Sequence, residues 1–487
     1  MNRPLRRVAL ACLVLFGLLL GEANWVQVVK AKQYRNDPRN QRVLLRTYDR
    51  ERGAIVAGSG ADRTTVARSV ATRDQLKYLR VYPGGAEYAP VTGFASLVYG
   101  FTGTERLEND VLSGEDPRLL VRRLSDYVTG RKVAGGSIVL TLDPRAQRAA
   151  YLGLAGKVGA VVALDPRTGA VLAMASRPSY DPGRLSSHDP KKIRAAYGSL
   201  VDAAGDPMVN RGVERTYPPG STFKLITTAA ALADGYSPQR RIPSPTVLNL
   251  PGTTADLGNF GGERCGNGKT TTLEDALRIS CNTAYGGLGM VLGQDRLRAQ
   301  AEAFGFGSSG LRLPQRVATS VFPEDLTRAQ TAQSAIGQYD VRVTPLQMAM
   351  VAAGIANGGQ LMRPYLVKQV LAPDLSPLAL AAPQLFRRAV SSSVAQQLTA
   401  MMERVVTAGT GTRARIAGVR VAGKTGTAQH QAGEPPHAWF VGFAPADDPV
   451  VAVAVLVEDG GNVGSEATGG RVAAPLARAV MEAVLRR

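Results

Sequence analysis

Histidine and cysteine are scarce: the 487 residues contain only three of each. His188, His430 and His437 show no metal-ligand spacing, so neither zinc chemistry nor a His-based triad is expected. Three cysteines are too few for a disulfide-stapled miniprotein. Acidic residues are also short, 39 against 58 Lys+Arg, for a net charge of +19. Residues 1–150 hold 24 basic and 14 acidic side chains, so more than half of that excess lies near the N-terminus. The excess is neither clustered nor interleaved with aromatics, and no nucleic-acid module accompanies it, which argues against nucleic acid as a partner. A surface facing anionic lipid or cell-wall polymer fits better. A 45% hydrophobic share excludes a disordered chain, and the length suits two or three folded units. No internal repeat or low-complexity tract is visible.

One long apolar run is present. Arg3, Arg6 and Arg7 precede an uninterrupted apolar stretch over 8–21, which continues less purely to Val29. This reads as a secretory signal or a signal anchor. Gly21-Glu22-Ala23 would pass as a cleavage site, whereas Trp25 and the continuation favour a retained single-pass anchor. Basic residues flank both sides, with Lys30, Lys32, Arg35, Arg39 and Arg42 following the segment, so the positive-inside rule does not orient it.

We divide the chain into a tip and anchor over 1–32, a module over 33–150 and a larger domain over 151–487. The module mixes short β-like runs (Val43-Leu44-Leu45, Ala54-Ile55-Val56) with turns, and no residue set in it suggests a reaction. From 159 onward, apolar runs over 159–164 and 170–175 flank Asp165-Pro166-Arg167-Thr168-Gly169, predicting a β-hairpin. Helical patterns follow over 225–234 and 346–356, then strands over 439–443 and 450–457, then a terminal helix over 475–485. The order predicts an α+β fold, an antiparallel sheet covered by helices.

Three short patterns carry chemistry. Ser221-Thr222-Phe223-Lys224 opens a helix, so the serine and lysine share one face. Such a serine is most often an N-cap. Lysine is the informative partner, because the chain has only 11 lysines in its 58 basic residues. A buried ammonium can release its proton and serve as a base beside a hydroxyl; a guanidinium effectively cannot. Ser280-Cys281-Asn282 lies in a helix-to-loop passage, and Lys424-Thr425-Gly426-Thr427 stands at the edge of a strand-like run over 419–422. By chance the first two patterns would each occur about once, and Lys-Thr-Gly about one time in ten. Their order and context make the set specific.

In these motifs the chain resembles the penicillin-binding proteins and serine β-lactamases. Residues 50–100 resemble the non-catalytic module of class B enzymes, most closely those of the actinobacterial penicillin-binding protein A type. The resemblance implies a serine β-lactamase/transpeptidase-like domain behind a smaller dimerisation or pedestal-like module. It implies a D,D-transpeptidase acting on stem peptides ending in D-Ala-D-Ala, inhibited covalently by β-lactams and needing no cofactor or metal. Ser221 would be the nucleophile, Lys224 its base and Ser280 a proton relay. Asn282 would hold the substrate amide, and Lys424 with Thr425 or Thr427 its carboxylate. Gly426 would let substrate backbone lie along the strand, and the N–H groups of Ser221 and Thr427 would form the oxyanion hole. Cys281 departs from the Ser-Asp-Asn pattern. An exported domain would permit a Cys265–Cys281 disulfide, and two free thiols fit the sequence nearly as well. With no polymerising module visible, a separate glycosyltransferase and division proteins are implied partners.

Other readings compete. Residues 418–425 also satisfy the Walker A pattern, but a phosphate loop must open a helix, and 429–436 is too rich in Gly and Pro for that. Water in place of an amine would give a D,D-carboxypeptidase or β-lactamase on the same fold, and a catalytically silent membrane-anchored scaffold would keep the site without turnover.

Overall fold

The computed structural model describes residues 2–31, 34, 48, 50–58, 60–119, 134–311, 313–430 and 433–486. The strand-like run Val43-Leu44-Leu45 and the flanking Lys32, Arg35, Arg39 and Arg42 lie outside the described residues. At the N-terminus, the α-helix Asn2–Asn24 continues into the π turn Trp25–Val29. No residue of its apolar span over 3–29 is buried against the rest of the chain, and the span is long enough to cross a membrane.

The segment behind it is built on a six-stranded sheet. Its order is Pro377–Leu380, Val367–Leu371, Ser137–Leu140, Ile55–Ala57, Thr64–Ala71, Tyr78–Val81. Two of these strands come from far along the chain, so 367–380 completes a sheet that 55–140 begins. Beneath it Glu105 is fully buried, with Arg52 Nε at 2.6 Å and Arg80 Nε at 2.7 Å. Burial pushes the Glu105 carboxyl up, but Arg80 and Arg52 outweigh that and hold it below its usual range. The cluster is structural, a charge satisfied in place.

The larger domain centres on a five-stranded antiparallel sheet ordered Ala422–Ala428, His437–Ala444, Val451–Val457, Gly159–Leu164, Val171–Arg177. Helices cover both faces, which is why its inner strands read as continuous apolar runs. Val451, Val453, Val455 and Val457 pack with the helices Pro144–Gly153 and Gly469–Leu485, while Ala452, Ala454 and Leu456 pack with Pro345–Ala356 and Lys224–Ala233. The expected hairpin is present as Gly159–Leu164 and Val171–Arg177.

Two boundaries differ from expectation. The terminal helix begins at Gly469, with Thr468 accepting the Arg471 N–H as its cap, so Pro475 sits inside it. Proline has no N–H to give the Arg471 carbonyl four residues back, and that carbonyl accepts from Arg413 Nη1 at 3.4 Å instead. The Lys-Thr-Gly-Thr run lies within the strand Ala422–Ala428, beyond the predicted 419–422 run. That strand is an edge strand, open on the side away from His437–Ala444.

Candidate active site

The site is built where the 3-10 turn Gly220–Phe223 meets the open edge of Ala422–Ala428. Gly220 has φ +52°, and a Cβ there would lie 2.6 Å from the Thr427 carbonyl oxygen. Only glycine permits that approach. Gly426 is constrained by space rather than by backbone angle, since a Cβ would meet Thr222 Cγ2 at 2.9 Å and the Pro219 carbonyl at 3.0 Å. Trp439, in the neighbouring strand, locks the same turn by donating Nε1–H to the Pro218 carbonyl at 3.0 Å. Thr222, Phe223 and Lys224 are buried, whereas Ser221 is half-buried, so in this segment its hydroxyl is the group a substrate can reach. That hydroxyl makes no hydrogen bond among the described residues.

Thr427 pairs across the sheet with Ala438, yet its carbonyl faces Gly220. The N–H and C=O of one residue in an antiparallel strand point to the same side. The Thr427 N–H therefore also points off the open edge, on the side of the Ser221 turn.

Below this junction two lysines converge on one serine. Lys224 Nζ donates to the Ser280 carbonyl at 2.7 Å, to Asn282 Oδ1 at 2.7 Å and to Ser280 Oγ at 3.3 Å. Lys424 Nζ donates to the same Ser280 Oγ at 2.8 Å and to the Thr425 carbonyl at 2.9 Å. Both amines are fully buried, and no carboxylate is paired with either among the described residues. Burial, reinforced by Lys424, holds the Lys224 ammonium well below the ordinary lysine range. Burial brings Lys424 down to about 7. The two cations repel, so the pair holds fewer than two protons near neutral pH, leaving a neutral amine within reach of Ser280.

Ser280 links the helices Leu273–Arg278 and Asn282–Leu292 with φ +64°, a left-handed conformation unusual for serine. Asn282 is the first residue of its helix. The disulfide Cys265–Cys281 fixes the residue between them, which decides the question the sequence left open.

Of the residues singled out, Lys224, Ser280, Asn282 and Lys424 thus form one bonded group, with Gly426 and Thr427 lining the wall beside Ser221. The Thr425 hydroxyl is turned to Thr410, 2.6 Å away, while the half-buried Thr427 hydroxyl has no partner among the described residues. Several contributors carried no motif. Asn259 bonds the start of the Asn282 helix. The Tyr285 ring lies 5.4 Å from Lys224 Nζ, and its hydroxyl meets Thr228 at 2.6 Å. Only Thr228, one turn after Lys224, had a positional signal.

His430, His437 and Asp459 cluster just past the motif strand, although their spacing gave no hint of it. The two rings stack 4.0 Å apart at 9°, so their in-plane lone pairs do not converge, and His437 Nδ1 already accepts the Asp459 N–H. Burial takes His437 down to about 4. The Walker A alternative fails on geometry, because Lys424 and Thr425 lie inside a strand.

The chain matches the penicillin binding protein transpeptidase domain over residues 159–482. The chain belongs to the penicillin-binding protein transpeptidase family. Residues 52–138 match the penicillin binding protein A dimerisation domain. The chain is 50% identical over 497 aligned positions to the peptidoglycan D,D-transpeptidase PbpA of Mycolicibacterium smegmatis, covering 100% of this chain and 99% of that protein. PbpA of Mycobacterium tuberculosis is 47% identical with the same coverage. A solved structure of M. tuberculosis penicillin-binding protein A, as a ceftriaxone acyl-enzyme complex, superposes with a TM-score of 0.87 at 46% identity, over 91% of this chain and 100% of that one. Its penicillin G acyl-enzyme complex gives 0.85 at 47% identity, over 90% and 100%.

Proposed function

We propose that this penicillin-binding protein is a peptidoglycan D,D-transpeptidase that crosslinks stem peptides through an acyl-serine intermediate and is inhibited covalently by β-lactams. The observation that carries this reading is Ser280 Oγ held between the two buried amines beneath the Ser221–Thr427 junction. Ser221 Oγ attacks the penultimate D-Ala carbonyl, and its proton passes to neutral Lys224. The Lys224 amine bonds Ser280 and Asn282 rather than Ser221, and catalytic hydrogen bonds commonly tighten only around substrate. The N–H groups of Ser221 and Thr427 receive the oxyanion. Ser280 passes a proton from the lysine pair to the leaving D-Ala amine. A second stem-peptide amine then attacks the acyl-enzyme and returns its proton by the same route. Asn282 holds the substrate amide, while Lys424, Thr427 and the Thr410–Thr425 hydroxyl pair face the substrate carboxylate.

The apolar helix over 3–29 serves as a single-pass anchor, with the larger domain on the extracytoplasmic side. The Cys265–Cys281 disulfide supports that side, since such bonds persist in oxidising compartments. We retain 1–32 as tip and anchor, 33–150 as a non-catalytic module and 151–487 as the transpeptidase domain, with strands 367–380 reaching back to the module's sheet. A separate glycosyltransferase supplies the glycan strands, and division proteins recruit the enzyme.

The test is intact-mass spectrometry after incubation with penicillin, followed by peptide mapping. One long-lived penicilloyl group on Ser221 is expected. Label elsewhere, or none, overturns the nucleophile assignment, and rapid release of hydrolysed penicillin replaces transfer by hydrolysis.

A further inference from the structure

Asn282 begins the helix Asn282–Leu292, and the residue in the capping position is Cys281, which makes no side-chain cap. Aspartate there, as in the Ser-Asp-Asn pattern, would cap the helix with its own carboxylate. Cysteine is a poor acceptor, and its sulfur is committed to Cys265. The first helical N–H groups still need partners. They find them on a residue distant in sequence: Asn259 Oδ1 accepts the N–H of Asn282 at 2.8 Å and of Thr283 at 3.1 Å. Its amide nitrogen donates to the Glu263 carbonyl at 3.0 Å, which fixes which way the oxygen points. Asn259 directly follows the hairpin Val247–Asn249/Asp256–Gly258, and the Gly258 carbonyl accepts Asn282 Nδ2–H at 3.2 Å.

That last pair matters for the chemistry. With Asn282 Nδ2 tied to Gly258, Asn282 Oδ1 must face Lys224 Nζ, 2.7 Å away. The 258–259 corner therefore fixes both the main chain of Asn282 and the direction of its amide.

From this geometry we infer that Asn259 is a positioning residue for acyl transfer: it supplies the helix cap that Cys281 cannot, and thereby aims Asn282 at Lys224. The disulfide and the Asn259 cap are two ties from one loop to one helix start, the covalent tie fixing distance and the hydrogen-bonded tie fixing orientation. The inference rests on the transpeptidase reading of the site.

The test uses the full chain and a chromogenic cephalosporin, following acylation rate and label stoichiometry well below the unfolding temperature. Asn259→Ala should still reach one label per chain, showing an intact fold, but acylate about five- to tenfold more slowly. Asn259→Asp keeps the acceptor oxygen and should recover most of the rate. The decisive variant restores a local cap: Cys281→Asp with Cys265→Ser, in the Asn259→Ala background, should acylate faster than Cys281→Ala with Cys265→Ser in that background. Unchanged acylation in Asn259→Ala, or equal rates for the two Cys281 substitutions, overturns the positioning role. Wild-type protein that takes no label on Ser221 overturns the transpeptidase reading itself, so the two failures are distinguishable.

Discussion

At the scale of single residues, activation rests on a buried lysine amine held well below its ordinary range. Lys224→Arg puts a permanent positive charge where the neutral amine is needed and loses the base, so acylation by penicillin should fall at least about a hundredfold, read as rate of adduct formation by mass spectrometry. Stability carries a second signature. The folded Lys424 has its pKa lowered to about 7, against an unfolded value near 10.5. Between those values the unfolded chain binds more protons, so stability rises with pH through that window and is flat below it. Denaturant unfolding between about pH 7 and pH 9 should show a gain approaching 1 kcal/mol per pH unit from this group, and Lys424→Met should remove that part of the slope while the part of the same sign from Lys224 stays. An unchanged slope would mean that the amine stays charged when folded. Much of this was legible in the sequence, because lysine in an arginine-rich chain is conspicuous and motif spacing carries chemistry. Asn259, Thr410 and Tyr285 were not legible, since each contributes through contacts that the fold alone creates.

At the scale of elements, two constraints hold the site together. Gly426→Ala would place a methyl 2.9 Å from Thr222 Cγ2 and 3.0 Å from the Pro219 carbonyl, pushing the strand off the Ser221 turn. Acylation should fall about tenfold or more while the protein remains folded, and circular dichroism separates the two effects. The Cys265–Cys281 bond spans a sequence separation of 16 and ties the loop to the helix of Asn282. Reduction should cost about 3 kcal/mol in denaturant unfolding, as chain-entropy closure of such a loop predicts. The strands 159–164 and 451–457 were legible because burial on both faces writes an unbroken apolar run. The start of the terminal helix was not, because Pro475 imitates a first-turn proline while Thr468 and Gly469 begin the helix earlier.

At the scale of the whole molecule, the module and the larger domain share a sheet. Val367–Leu371 pairs with Ser137–Leu140, a join between distant segments that no local pattern announces. A fragment starting at 151 would leave one edge of that strand unpaired, since Pro377–Leu380 covers only the other, and should aggregate or melt earlier than a fragment starting at 48, as thermal unfolding with light scattering would show. In this mechanism a neutral buried amine activates Ser221. The most direct measurement of that activation is the acylation rate of the intact protein by a chromogenic cephalosporin from about pH 5 to about pH 10. We predict that the rate rises and reaches its plateau well below the ordinary lysine pKa, and that this limb vanishes in Lys224→Arg; a rate still climbing at about pH 10, or a limb retained by the arginine variant, would contradict the account.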